Sequence, residues 1–328
     1  AVDTGGGVVT LNWLIDGNQV VSVDTTSVAN TNAVATVTEG NASVERGTTL
    51  TNIENLNIKS LGDTTADMTS ITGVKSFATA DSTGAIVIDN ATSASMALGF
   101  SGQFNNTITA NYASGLTGTD DNILMNVMSA KNVTVDVDSG FERATLALNG
   151  TANTVTNIIT PKTGGMSLTI SGSGDATFAA DAFDSSSAFT ITNTAALKFG
   201  AIDTLDVKTF TATANTGGIT GSSALVSPNI YSTDEIDGAT TGLTMFLGSG
   251  NDNLLINETA VSTKTNTIML GGGNDIIDLN NGGLGATYLF GEAGDDSIRV
   301  KTTALETTDT ISGGDGTDTL TLTGNLIH

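Results

Sequence analysis

Four glycine-rich turns in residues 247–321 each carry an aspartate at the same place, and these aspartates are the side chains best placed to do chemistry. Each turn has Gly-x-Asp at its centre, and an aliphatic residue follows two positions after the aspartate. The turns read LGSGNDNLL (Leu247–Leu255), LGGGNDIID (Leu270–Asp278), GEAGDDSIR (Gly291–Arg299) and GGDGTDTLT (Gly313–Thr321). The chemistry that this pattern favours is the binding of a hard cation by oxygen ligands.

Each residue type in the turns suits Ca²⁺. Glycine adopts the positive φ angles of a tight loop, which lets backbone carbonyls turn inward. Aspartate adds an anionic oxygen, and Ca²⁺ takes about 6–8 oxygen ligands. One loop supplies only half of such a shell, so a loop stacked above or below must supply the rest. The predicted ligands are the carboxylates of Asp252, Asp275, Asp296 and Asp318 and the carbonyls of turn residues including Gly248, Gly250, Gly271, Gly273, Gly291, Gly294, Gly313 and Gly316.

The spacing of the four aspartates indicates how the loops are positioned. They are separated by 23, 21 and 22 residues, which suits one loop per coil of a β-solenoid. The aliphatic residue after each aspartate begins a strand whose side chain points into a core. Glycine-aspartate turns are common in β proteins, but four copies at near-constant spacing favour calcium. We therefore predict an all-β parallel β-solenoid with one row of calcium sites along one edge.

The rest of the chain reads as short strands separated by polar turns. Alternation such as Val133, Val135 and Val137 marks strands with one buried face,. For residues 1–225 both a calcium-poor solenoid and a β-sandwich fit this pattern, and residues 226–328 form the predicted calcium-binding region. Two weaker turns contain Asp120 and Asp175, where either a degenerate calcium site or a solvated turn aspartate is expected.

At the four turns the sequence resembles the RTX (repeats-in-toxin) family, whose nonapeptides bind calcium in parallel β-rolls. The wide spacing is more similar to RTX-bearing bacterial surface-layer (S-layer) proteins than to dense toxin arrays. This resemblance implies a secreted protein at the bacterial cell surface. Relatives usually carry a C-terminal type I export signal, and we expect the chain, which starts without Met, to be a fragment of a longer protein.

Composition limits the partners. The net charge is −23 and the eleven basic residues are scattered, whereas binding to nucleic acid needs clustered Lys and Arg. No apolar run approaches the ~20 residues that cross a bilayer, so we expect neither nucleic-acid binding nor membrane insertion. The sequence has no cysteine, so stability must come from the core or from metal rather than from disulfides.

The sequence does not predict an enzyme. Its only histidine is His328 and it has no cysteine, and we find no zinc-protease motif, Ser-His-Asp set or Cys-His pair in it. Paired acids such as Asp295 and Asp296 lie inside the metal-type turns. We expect a structural S-layer subunit whose folding and self-assembly into a two-dimensional lattice depend on calcium. Its partners would be other copies of itself, with a cell-surface polysaccharide bound through a part outside this chain. The alternative is an RTX-type adhesin or the repeat module of a secreted toxin or hydrolase.

Overall fold

The structure is a computed structural model that describes most of the chain. The described residues are 10–15, 34–39, 54–60, 63–71, 73–91, 95–103, 107–112, 120–137, 140–159, 166–179, 182–183, 186–200, 209–221, 229–232, 242–257, 265–279 and 285–324. Only the backbone is described for 10–15, 34–39 and 229–232 and for single residues at several strand ends.

The chain folds as an all-β parallel solenoid, as the sequence predicts. All the described strand pairs are parallel. We call one turn of the solenoid a rung. Hydrogen bonds between neighbouring rungs mostly join residues that are 21–23 positions apart in the sequence. Two single-turn 3₁₀ segments, Met68–Ser70 and Thr302–Ala304, are the helical elements of the described residues. No helix in this part of the chain has the length and apolar character needed to cross a membrane.

The strands belong to two compact units. The first unit contains Ala1–Asn149 and Ile158–Lys162, and the second contains Gly150–Asn157 and Thr163–His328. The predicted boundary at residues 225 and 226 lies outside the described residues. Within the second unit, one sheet ends just before residues 222–228 and another begins just after them.

In the first unit, the strands form two sheets, and each rung adds one strand to a sheet. One sheet has the order β1-β2-β3-β5-β7-β9-β11 and the other has the order β10-β8-β6-β4. The strands are β1 (Thr10–Ile15), β2 (Val34–Glu39), β3 (Asn55–Ser60), β4 (Thr64–Asp67), β5 (Ser76–Ala80), β6 (Ile86–Ala91), β7 (Ala97–Gln103), β8 (Thr107–Tyr112), β9 (Asn122–Lys131), β10 (Val133–Val137) and β11 (Arg143–Asn149).

In the second unit, one sheet follows the order β13-β15-β17-β20-β22-β24-β26, and the facing strands form two sheets, β18-β16-β14-β12 and β19-β21-β23-β25-β27. The strands are β12 (Asn153–Ile159), β13 (Met166–Gly172), β14 (Ala176–Phe178), β15 (Ser186–Ile191), β16 (Leu197–Phe199), β17 (Thr209–Thr211), β18 (Ile219–Gly221), β19 (Asn229–Ser232), β20 (Thr244–Phe246), β21 (Asn253–Asn257), β22 (Asn266–Met269), β23 (Ile276–Leu279), β24 (Thr287–Ala293), β25 (Ser297–Lys301), β26 (Thr310–Asp315) and β27 (Thr319–Thr323).

The core lies between the sheets of each unit and is built from columns of like side chains. Alternate residues of a strand point to opposite faces, so β10 buries Val133, Val135 and Val137 while the residues between them stay half-buried. Parallel, in-register stacking then sets each inward residue above its equivalent, as with Phe189 and Phe210. The described strands between residues 10 and 221 pair in parallel, whereas the sheets of an immunoglobulin-type β-sandwich are antiparallel.

Candidate metal centre

The four predicted aspartates lie in one row, one rung apart, in the second unit. Between each aspartate and the next, the backbone N–H of one aspartate donates to Oδ1 of the aspartate in the following rung. These N–H···Oδ1 distances are 2.8 Å from Asp252 to Asp275, 2.9 Å from Asp275 to Asp296 and 3.0 Å from Asp296 to Asp318. The row begins at Ile219, whose N–H donates to Asp252 Oδ1 at 2.5 Å. We call this row the aspartate ladder.

A second ladder runs beside the first in the opposite direction. It uses the residue just before each aspartate, and here the side-chain Oδ1 of one rung accepts the N–H of the next rung. Asn251 accepts from Asn274 at 2.8 Å, Asn274 accepts from Asp295 at 3.0 Å, and Asp295 accepts from Thr317 at 2.8 Å. The two ladders together fix the vertical register of the turns. Sequence reasoning missed the second ladder, although Asn, Asn and Asp before the first three aspartates are its visible signal.

The other carboxylate oxygens of the aspartate ladder are buried without hydrogen bonds. Asp252, Asp275 and Asp296 are only 1–2% exposed, and their Oδ2 atoms have no hydrogen-bond partner among the described residues. Buried polar groups in native proteins are almost always paired, because an unpaired acceptor loses its water without compensation. A proton, a bound water or a cation would satisfy these three oxygens. Asp318, in the last rung, is half-buried instead.

Burial sets the acid-base behaviour of the ladder. Burial raises the pKa of Asp252 to about 7, partly offset by the N–H of Ile219. The pKa of Asp275 is also raised to about 7: burial is the main cause, the Asp252 N–H opposes it, and the neighbouring carboxylates of Asp252 and Asp296 add to it. The pKa of Asp296 is raised in the same direction and for the same first cause. Ionising the ladder near neutral pH is thus costly unless a positive charge accompanies it.

The glycines allow the rungs to approach closely. At Gly291 an added Cβ would contact Asp296 Oδ2 and the carbonyl of Gly313, and at Gly313 it would contact Asp318 Oδ2. Gly271, Gly273, Gly294 and Gly316 have φ between 92° and 138°, a region that suits glycine. Glu292, which replaces a glycine in the third turn, also has a positive φ of 72°.

The carbonyls that were predicted as ligands have mixed surroundings. Those of Gly248 and Gly271 accept the N–H groups of Gly272 and Ala293, at 2.8 Å and 3.0 Å. A carbonyl has two lone pairs, so these bonds leave one acceptor site on each oxygen. The carbonyls of Gly273 and Gly294 face the next glycine of their column, where an added Cβ would contact them. The turn carbonyls thus stack in columns beside the aspartate ladder.

The donor chemistry of the ladder fits calcium in part. Three carboxylate oxygens without hydrogen bonds are hard ligands of the kind that Ca²⁺ prefers. The structure does not bring the four carboxylates together into one cluster: within the described ranges, no three Asp, Glu, His or Cys side chains are arranged to hold one metal ion. A calcium shell here would combine one or two carboxylates of adjacent rungs with turn carbonyls, in a row rather than at one centre.

The two weaker turns have ordinary structural partners. Asp120 is exposed and forms an ion pair with Arg143 at 2.9 Å in the first unit. Asp175 accepts the N–H of Ala152 through both carboxylate oxygens, at 3.1 Å and 3.0 Å, in the second unit. Neither residue belongs to the aspartate ladder, and both roles agree with the turn-aspartate alternative.

A column of buried asparagines, also missed by sequence reasoning, holds the rungs that precede the ladder. Asn215 Nδ2 donates to the carbonyls of Asn193 and Ala195, both at 2.9 Å, and Asn215 Oδ1 accepts the N–H of Gly218 at 2.9 Å. Asn193 donates in the same way to Ser171 and Gly174. Both asparagines are at most 1% exposed. The signal in the sequence is the 22-residue interval between them. The neutral amide of each asparagine thus hydrogen-bonds to backbone groups of its turn, whereas Asp252, Asp275 and Asp296 each keep one carboxylate oxygen without a hydrogen bond.

Comparison with known proteins adds no assignment. No family model, no curated protein and no solved structure matches this chain.

Proposed function

We propose that this protein is a structural subunit of a bacterial S-layer, exported to the cell surface, in which calcium orders the second unit and copies of the chain assemble into a lattice. The observation that carries the calcium part is the set of buried Oδ2 atoms on Asp252, Asp275 and Asp296 without hydrogen-bond partners. The asparagine column of the same solenoid serves as an internal comparison, because its turns need no ion.

Calcium would supply a positive charge between rungs that carry one carboxylate each. The chain's own part is to hold Oδ1 of each aspartate on a neighbouring N–H, which fixes the carboxylate and directs its Oδ2 away from that bond. The glycines keep the space beside Oδ2 free of side-chain carbon at Gly291 and Gly313. Metal binding and folding are coupled in such sites, because the ligands converge only in the folded chain.

The expected affinity for calcium indicates where the aspartate ladder would bind it. Extracellular calcium modules bind in the range of about 10⁻⁴–10⁻³ M, so the ladder would fill outside the cell and stay empty where calcium is scarce. The net charge of −23 keeps separate chains apart through repulsion, and calcium lowers that repulsion. The stacked parallel strands of each unit support a structural role, because such sheets offer extended faces for contact.

The test compares the chain with a variant in which Asp252, Asp275 and Asp296 are all replaced by Asn. Calorimetric titration with Ca²⁺ should show binding to the wild type and at most weak binding to the variant. Negative-stain electron microscopy after the addition of calcium should show ordered sheets for the wild type only. Equal calcium binding by the two proteins would reject the ladder as the site. Binding without sheets, together with a chain that stays monomeric, would favour an adhesin or a secreted repeat module over a lattice protein.

A further inference from the structure

One sheet of the second unit has an outer side without charge. Strands β13, β15, β17, β20, β22, β24 and β26 form this sheet, and their inward residues, such as Leu168, Phe189 and Leu289, build the core. Before the glycine turns begin, the outward residues whose side chains are described are all threonine, serine, alanine, phenylalanine, methionine or tyrosine. We call this outer side the neutral face. It is an exception in a chain with a net charge of −23.

Large apolar side chains form a column on the neutral face. The register sets Phe246 beside Met269 and Met269 beside Phe290 in three successive rungs. These three side chains are half-buried, and Tyr288, in the neighbouring column, is 39% exposed. Single apolar residues on a surface are ordinary, whereas a contiguous group of them marks a site of contact. The neutral face therefore has the character of an interaction surface.

Other described sides of the second unit carry charged side chains. The outward side of the opposite sheets includes exposed Lys198 and the ion pair between Asp278 and Arg299. The glycine turns carry Glu292 and Asp295, both exposed. A contact between two copies through these sides would bring like charges together or remove charges from water, and both cost free energy. Two such acidic chains thus meet with the fewest charges in the contact when their neutral faces meet.

The chemistry of the neutral face also limits its partner. Its described side chains offer no carboxylate, amide, ammonium or guanidinium group, so the face cannot form the charge-assisted or bidentate hydrogen bonds that bind a charged partner. A charge buried against Phe246 or Phe290 would lose its water without a compensating group. The partner surface must therefore be uncharged as well.

The same face of a second copy meets this condition. Two sheets that pack face to face, about 10 Å apart, are an ordinary arrangement in β proteins. A two-fold axis between the copies needs only one kind of surface, and such isologous contacts are the commonest in homodimers. Threonine columns and the apolar column would then be covered by their own equivalents.

We propose that two copies of this chain associate through their neutral faces, with Phe246, Met269 and Phe290 at the contact. This inference rests on the proposed self-assembly and names one of its interfaces. It uses no residue of the aspartate ladder, so a failure here leaves the calcium proposal standing, and a failure of calcium binding leaves this contact standing.

Tyr288→Glu tests the contact, and Leu305→Glu is its matched control. The two side chains are almost equally exposed, at 39% and 38%, and Leu305 lies outside the neutral face, after the second 3₁₀ segment. Sedimentation velocity of the full chain in calcium, over a range of concentrations, measures self-association. The wild type and Leu305→Glu should associate alike, whereas Tyr288→Glu should raise the dissociation constant at least about tenfold. Circular dichroism shows whether each variant is folded, and Thr267→Glu, in the same column as Tyr288, repeats the test if Tyr288→Glu is not.

Salt separates this contact from one made through charges. A neutral contact must overcome the repulsion between acidic chains, so added NaCl should screen that repulsion and strengthen association. A contact through calcium bridges between acidic sides should weaken with salt instead, and an added Glu should not weaken it.

The outcomes keep this contact and the proposed function apart. Association that both Glu variants lose equally, or that both keep at the strength of the wild type, would overturn the neutral-face contact while leaving self-assembly in place. A wild-type chain that binds calcium but stays monomeric at every concentration and salt level would overturn this contact and the lattice, and leave the calcium role. Association lost only in Tyr288→Glu, in a chain that binds no calcium, would support the contact and reject the aspartate ladder as a calcium site.

Discussion

Replacing Asp275 with Asn should make the metal-free protein more stable at high pH and less responsive to calcium. Asn has the same shape, and its Oδ1 can still accept the Asp252 N–H, which lies 2.8 Å from the Asp275 oxygen. The substitution removes the buried negative charge and replaces Oδ2 with an amide group. It therefore separates the charge of the ladder from its hydrogen bond.

The size of the effect follows from the pKa of Asp275, which burial raises from 3.8 to about 7. A shift of about three pH units corresponds to about 4 kcal/mol against the ionised, folded form. The unpaired amide hydrogens of Asn cost about 1–3 kcal/mol. At about pH 8 without metal, the variant should therefore be more stable than the wild type by about 1–3 kcal/mol.

The pH dependence has a definite sign. Since the folded-state pKa is higher than the unfolded one, the stability that the proton confers is fully present below pH 3.8 and is lost as the pH rises through about 7,. Between about pH 5 and pH 8 the metal-free wild type should lose about 3 kcal/mol from this residue alone. The Asn variant should lose less, so the two proteins should have nearly equal stability near pH 5.

Calcium should offset most of the difference in stability between the variant and the wild type. If the site has the affinity of an extracellular module, about 10⁻⁴–10⁻³ M, then 10 mM Ca²⁺ stabilises the folded wild type by about 1.4–2.7 kcal/mol through mass action. The variant should gain much less, because its amide cannot replace the carboxylate charge.

Hydrogen exchange read by mass spectrometry on the peptide 247–257 measures this locally, because it includes the N–H of Asp252. The control is Asp278→Asn, which removes a carboxylate on β23, the strand that follows Asp275. This carboxylate forms an ion pair with exposed Arg299 at 3.0 Å, and exposed pairs of this kind contribute about 1 kcal/mol or less. A variant that is less protected than the wild type at pH 8 without metal, or equally protected by calcium, would refute the reasoning.

Two further substitutions, each with a matched control, test the surroundings of the ladder. Gly291→Ala should destabilise the second unit by about 1–3 kcal/mol in chemical unfolding, because its Cβ would contact Asp296 Oδ2,. The control is Gly272→Ala, whose Cβ would have its nearest neighbour at 3.6 Å. This control should change the stability by about 0.5 kcal/mol or less. Asn215→Ala should cost about 2–4 kcal/mol through three lost hydrogen bonds,, with the calcium response unchanged. Thr216→Ala removes one exposed bond to the Thr194 carbonyl and should cost about 0.5 kcal/mol; equal effects of the last two would contradict the role of the asparagine column.

Much of the fold could be predicted because a solenoid repeats its signals. The aliphatic residue two places after each aspartate was expected to point into the core, and Leu254, Ile277 and Ile298 are 0–2% exposed. Leu320 follows the same rule in sequence but is 52% exposed. Local pattern fixes which face of a strand a residue occupies, whereas burial also needs a neighbouring rung, which β27 lacks among the described strands.

The candidate site was predicted in its members but not in its hydrogen bonds. The spacing of Asp252, Asp275, Asp296 and Asp318 indicated one such turn per rung, and in the structure consecutive hydrogen bonds link these four residues. That one oxygen of each carboxylate binds a backbone N–H depends on the tilt and stacking distance of the turns, which no residue type encodes alone. The role of calcium at these positions stays a prediction.

The most direct test of the central claim is a crystal structure of the chain grown in about 10 mM calcium, with anomalous diffraction data collected at a long wavelength. The account predicts an anomalous peak about 2.3–2.6 Å from Oδ2 of Asp275, with equivalent peaks along the aspartate ladder. An ordered ladder whose Oδ2 atoms have no such peak beside them would contradict it, because the buried carboxyls would then be satisfied without calcium.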